Sequence, residues 1–107
     1  MVKEVKKAKL LRLRELMLEC LRATERDGTV GSVDAVVLRN VCAHLGCPVE
    51  MEPFEEQLRH MAEKGYIRTE TRSIGDLENI LVELTPKGGD LLDGLIKDPT
   101  VIAPEAL

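Results

Sequence analysis

The feature that most limits the fold is a change of hydrophobic period at Gly65. Before that glycine, apolar residues recur every three to four positions; after it, they alternate. The stretch from Lys3 to Arg26 is rich in Leu, Lys, Arg, Glu and Ala and holds no Gly or Pro, which predicts a long helix stopped by Asp27-Gly28. Ser32-Val33-Asp34 opens a second helix, with Ser32 as the expected N-cap, running to about Leu45 and ending at Gly46. Leu38, Cys42 and Leu45 share one face of it, flanked by Val37 and Val41. Gly46-Cys47-Pro48 is a short turn. A third helix follows from Glu50 to Lys64, with Phe54, Leu58, Met61 and Ala62 at i, i+4, i+7 and i+8.

Beyond Gly65, Tyr66 to Arg72 and Leu77 to Leu84 read as two strands joined by a turn at Ser73-Ile74-Gly75-Asp76, with Ile80, Val82 and Leu84 on one face. Thr85 caps a short last helix with Pro86 at its first position and Leu91, Leu92, Leu95 and Ile96 along it, ended by Asp98-Pro99. Residues 100–107 are expected to be a loose tail. Two helices joined by so short a turn, followed by a hairpin and a helix, make the winged helix-turn-helix plan. The predicted class is mainly α with a β-hairpin wing (α+β), carrying a long N-terminal and a short C-terminal helix. Residues 1–107 form one such domain, in which 1–9 are a basic N-terminal segment.

Composition narrows the function. Phe54 and Tyr66 are the only aromatic residues and there is no Trp, so the aromatic platforms that hold single-stranded nucleic acid are nearly absent. The charged N-terminus does not read as a signal peptide, and no run approaches the roughly 18 apolar residues of a membrane span. Three cysteines without a secretion signal point to free thiols and a cytoplasmic location. The net charge of −4 is unevenly spread. Residues 1–26 hold eight Lys or Arg against four Glu, a surplus of four, whereas the remaining 81 hold seven basic and fifteen acidic groups. Attraction to a polyanion therefore belongs to the N-terminal segment.

The apolar residues of the first helix, from Leu10 to Leu21, cover roughly 220° of arc, wider than the ~100° stripe that one core face requires. That width predicts a homodimer, with Leu11 and Leu18 at the contact.

The phrase His60-Met61-Ala62-Glu63-Lys64-Gly65-Tyr66-Ile67, followed by a hairpin and Leu84-Thr85-Pro86-Lys87-Gly88, resembles the winged-helix transcription factors of the ArsR and related groups. The stretch from Val37 to Val101, with Leu45-Gly46 and Asp98-Pro99-Thr100-Val101, is similar to small ArsR-like winged-helix proteins of Mu-like prophages. The resemblance covers about two thirds of the chain and implies a dimeric, DNA-binding regulator or accessory protein of phage origin.

In such a fold the N-terminal half of the third helix would enter the major groove. Glu52, Glu55, Glu56, Arg59 and His60 are expected on its outward face, with Arg59 and His60 as the residues able to meet DNA. Glu50, Glu52, Glu55 and Glu56 set four carboxylates beside a polyanion, chemistry that suits the helix dipole better than a phosphate backbone. Lys3, Lys6, Lys7 and Lys9 at the N-terminus, and Arg68 and Arg72 on the wing, are the candidate phosphate contacts. Their competing reading is a solvated helix end and a charged, protected hairpin edge.

Cys42-Ala43-His44-Leu45-Gly46-Cys47 gathers two thiols and an imidazole. Cys42, however, is in register with Leu38, and His44 two residues on turns to another face, so no metal site or cofactor is expected. Gly88-Gly89 near a helix start is read as a close packing contact in preference to an anion site. No Gly-rich phosphate loop, nucleophile elbow or HExxH occurs, and no enzyme is expected. Two functions stay open. One is a dimeric DNA-binding regulator; the other is a protein–protein interaction module that docks a basic partner on its acidic third helix.

Overall fold

The computed structural model describes residues 2–104, with side chains from Lys6 onward. The first helix, α1 (Val2–Arg22), ends four residues before the expected stop. The chain then turns back on itself. Asp27 and Gly28 both take positive φ (52° and 79°), and Arg26 and Thr29 bond to each other across them, the geometry of a tight two-residue turn.

The second helix, α2 (Ala35–His44), is capped by Asp34 and not by Ser32. Asp34 Oδ1 accepts from the Val36 and Val37 amides at 2.8 and 3.4 Å, satisfying donors that the first helical turn leaves open. Asp34 can do so because it ends a strand that no sequence pattern predicts, β1 (Val33–Asp34). The third helix, α3 (Met51–Glu63), lies close to its expected bounds. The hairpin strands are β2 (Ile67–Ile74) and β3 (Leu77–Leu84), joined through Gly75-Asp76. The antiparallel sheet therefore has three strands in the order β1-β3-β2, with Val33 opposite Val82 and Ile67 opposite Leu84.

The last helix, α4 (Pro86–Leu92), is shorter than its apolar run. Gly94 at positive φ turns the chain away, and Leu95 is left 73% exposed. Thr85 caps α4 through Gly88 N (3.1 Å) and donates its hydroxyl proton to the Gly65 carbonyl (2.5 Å). Gly88 sits where α4 crosses the start of β2; a Cβ there would lie 2.2 Å from the Tyr66 carbonyl oxygen. The close-packing reading of this glycine is thus the structural one.

The core gathers Met17, Leu18 and Leu21 of α1, Leu38 and Cys42 of α2, Phe54 and Met61 of α3, and Val82 of β3. It also includes Val101, fully buried, so the segment after Asp98 is not a loose tail as far as the described residues reach. Asp98 and Thr100 hold it. Asp98 Oδ2 accepts from Lys64 Nζ (2.8 Å) and Tyr66 OH (2.6 Å), Asp98 Oδ1 accepts from Thr100 N (3.0 Å), and Arg14 donates to the Thr100 carbonyl.

The wide apolar arc of α1 has an explanation within one chain. This helix packs against α2, α4 and β3 and so is enclosed on several sides. Leu18, expected at a subunit contact, is fully buried in its own chain's core. Leu45, expected inside, is exposed, as are Val37 and Val41.

Candidate nucleic-acid interface

The candidate residues are spread over α3, the hairpin and the N-terminal half of α1. Phe54, Leu58 and Met61 commit one side of α3 to the core. The 3.6-residue period then turns Glu52, Glu56, Arg59 and Glu63 to solvent, where all four are exposed. Glu55, Arg59 and Glu63 line a shallow groove with Thr69 and Thr71 of β2. Carboxylates outnumber cations on this face.

His60 is not on it. It lies toward Arg14 of α1 and Lys64, and its Nε2 is buried without a hydrogen-bond partner. Burial first, then those two cations, hold its pKa below the ordinary value. A neutral imidazole turned inward offers a phosphate no charge, so of the two α3 candidates only Arg59 faces outward.

The wing arginines are exposed, but each has a carboxylate beside it. Arg68 stands directly across the ladder from Glu83, with Nη1 to Oε1 at 2.6 Å. Arg72 Nε is 3.6 Å from Glu70 Oε1 on the same strand face. These pairs are exposed and therefore weak, yet they leave the middle of the wing without surplus positive charge. Arginines considered one at a time along the sequence do not reveal this pairing. The hairpin register, once counted back from Gly75-Asp76, places Glu83 opposite Arg68.

Lys6, Lys7 and Lys9 are exposed on α1; the Lys3 side chain lies outside the described residues. The N-terminal part of α1 precedes Leu13, the first buried residue among the described side chains, and runs alongside the turn between α2 and α3. Lys6 and Lys9 line one groove of about 510 Å³ with Leu10, Cys47, Pro48 and Val49. That turn leads into α3 at Met51. It is pinned by Arg39, whose Nη1 donates to the Val49 carbonyl at 3.1 Å, a bond with no motif to announce it. The lysines therefore stand beside the segment that enters α3.

Cys42 is fully enclosed, and burial, followed by the neighbouring Cys20 thiol, pushes its pKa up to about 12. It is a small core residue that keeps its proton. His44, on the exposed side of α2, does not join it. Among the described residues, no group of three or more His, Cys, Asp or Glu side chains is placed to hold a metal ion, and no helix is long and apolar enough to cross a membrane.

No family model matches the sequence, and no curated protein matches it significantly. Solved structures do. The PadR protein of Bacillus subtilis, crystallised in complex with operator DNA, superposes with a TM-score of 0.61 at 21% identity, over 80% of this chain. This chain spans only about half of that protein (48%). A PadR-family transcriptional regulator from Eggerthella lenta gives a TM-score of 0.59 at 18% identity, covering 88% of this chain and 81% of the other. At such identities the likeness concerns architecture. Four helices and a three-stranded antiparallel sheet in this order are the winged-helix fold.

Proposed function

We propose that the chain is a homodimeric winged-helix regulator of transcription that binds double-stranded DNA in the cytoplasm and catalyses no reaction. The observation that carries this reading is the position of Lys6 and Lys9, beside the turn that feeds α3. A phosphate held there would meet two ammonium groups together. The shared fold with a protein solved on operator DNA supports the binding of duplex DNA. Lys7, Lys3 and Arg59 complete the positive set, and Arg68 and Arg72 join it only if phosphate displaces Glu83 and Glu70. The phage-type, ArsR-like character implied by the sequence phrases belongs to this proposal.

The dimer contact uses the half-exposed Leu11 of α1. Leu18 supports α1 from beneath. A second reading, a module that docks a basic protein, is favoured by the surplus of Glu52, Glu56 and Glu63 on the outward face of α3. Titrating random duplex DNA at several salt concentrations separates the two. The regulator loses affinity by about 0.9 log units per log unit of salt for each phosphate it neutralises. An interaction module shows no binding to lose.

A further inference from the structure

The wing ends in apolar side chains where a DNA-binding hairpin would carry cations. Ile74 and Leu77 are cross-strand partners flanking the Gly75-Asp76 turn, and they are 81% and 73% exposed. Side chains of this size at a loop tip make one contiguous knob. Asp76 and Glu78 stand next to it, and the nearest cation, Arg72, is shared with Glu70. A tip of this charge is repelled by a phosphate backbone, so its apolar surface fits a protein.

The same chain carries a surface of opposite character. The groove between α1 and the α2–α3 turn has an apolar floor that includes Leu10, Leu13 and Val49, and a basic rim of Lys6, Lys9 and Arg12. Its volume of about 510 Å³ falls within the range of about 300–1,000 Å³ typical of sites that bury small ligands. An apolar floor under ammonium groups matches an apolar knob beside carboxylates in both hydrophobicity and charge.

We propose that the wing tip of one copy docks in this groove of a second copy, with Ile74 and Leu77 on the floor and Asp76 and Glu78 against Lys6 and Lys9. The contact joins unlike surfaces, so it does not depend on the α1 dimer and can add copies to it. It reuses Lys6 and Lys9 but holds whether or not the chain binds DNA.

The test is complementation between two variants, measured without DNA by sedimentation velocity from micromolar to millimolar concentration. Ile74→Ser with Leu77→Ser removes the knob and keeps the groove; Lys6→Glu with Lys9→Glu reverses the rim and keeps the knob. All four positions are exposed, so both proteins should fold, as circular dichroism will show. The expected result is concentration-dependent association in the wild type, weakened at least tenfold in each variant alone and restored in the equimolar mixture. Association of the knob variant at wild-type strength overturns the proposal, as does a mixture no more associated than its components. A wild type that stays a single species throughout does the same. Leu11→Glu serves as the control: it lowers the mass of the basic unit and leaves the complementation intact.

Discussion

Gly88 and Asp98 show how single residues set the geometry here. Gly88 allows α4 to cross Tyr66 at backbone distance, and a methyl group there would meet the Tyr66 carbonyl oxygen at 2.2 Å, backbone that cannot swing aside as a side chain can. Gly88→Ala should therefore cost about 1–3 kcal/mol through overpacking, read as a lower urea midpoint with an unchanged slope. Asp98 is the acceptor that ties the last described segment to α3 and β2. Burial alone would raise its pKa, but hydrogen bonds from Lys64, Thr100 and Tyr66 more than offset this and leave it well below the usual carboxylate range. Its contribution is thus fully present above the unfolded pKa of about 3.9 and is lost as pH falls through the lower folded value. Tyr66, raised to about 12 by burial and by Asp98, acts at the other end. Its contribution holds below the unfolded pKa of about 10 and is lost as pH rises toward 12. Asp98→Asn should lower stability at pH 7 by about 1–3 kcal/mol and flatten the acid limb of a stability–pH curve. A variant with wild-type stability and an unchanged acid limb would contradict this account.

At the scale of elements, the helix-turn-helix, the hairpin and the Thr85-Pro86 helix start are all legible in the sequence, because glycines and proline punctuate a clear change of period. Other features are not legible, for physical reasons. β1 has only two residues and exists through pairing with β3, so no local pattern marks it. With β1 in place, the chain enters α2 two residues later than Ser32, and Asp34 becomes the cap. Asp34→Ala should cost about 1 kcal/mol, whereas Ser32→Ala should leave the thermal midpoint unchanged. A wide apolar arc on a helix such as α1 has two physical causes, enclosure within the chain or dimerisation, and the sequence does not separate them. Full burial of Leu18 assigns much of the arc to enclosure. Leu18→Glu should therefore unfold the chain, while Leu11→Glu should leave helicity intact and weaken the proposed dimer. The candidate interface is partly legible: Lys6, Lys7, Lys9 and Arg59 face solvent as expected. His60 turns inward, and the pairing of Arg68 with Glu83 emerges only from strand register.

At the scale of the whole molecule, positive charge lies on α1, carboxylates on α3 and at the wing tip, and the groove between α1 and the α2–α3 turn lies under Lys6 and Lys9. If those two lysines serve both proposed interfaces, duplex DNA and the wing knob compete, and adding duplex should dissolve the knob-dependent assemblies. The central claim is that DNA is held by the lysines of α1. It is tested most directly by titrating labelled random duplex against the wild type and against the triple variant Lys6→Gln, Lys7→Gln, Lys9→Gln over a series of salt concentrations. The account predicts weaker binding of every duplex by the variant and a log–log salt slope shallower by about 0.9 for each phosphate no longer neutralised. A variant that binds as tightly as the wild type, with the same slope, would contradict it.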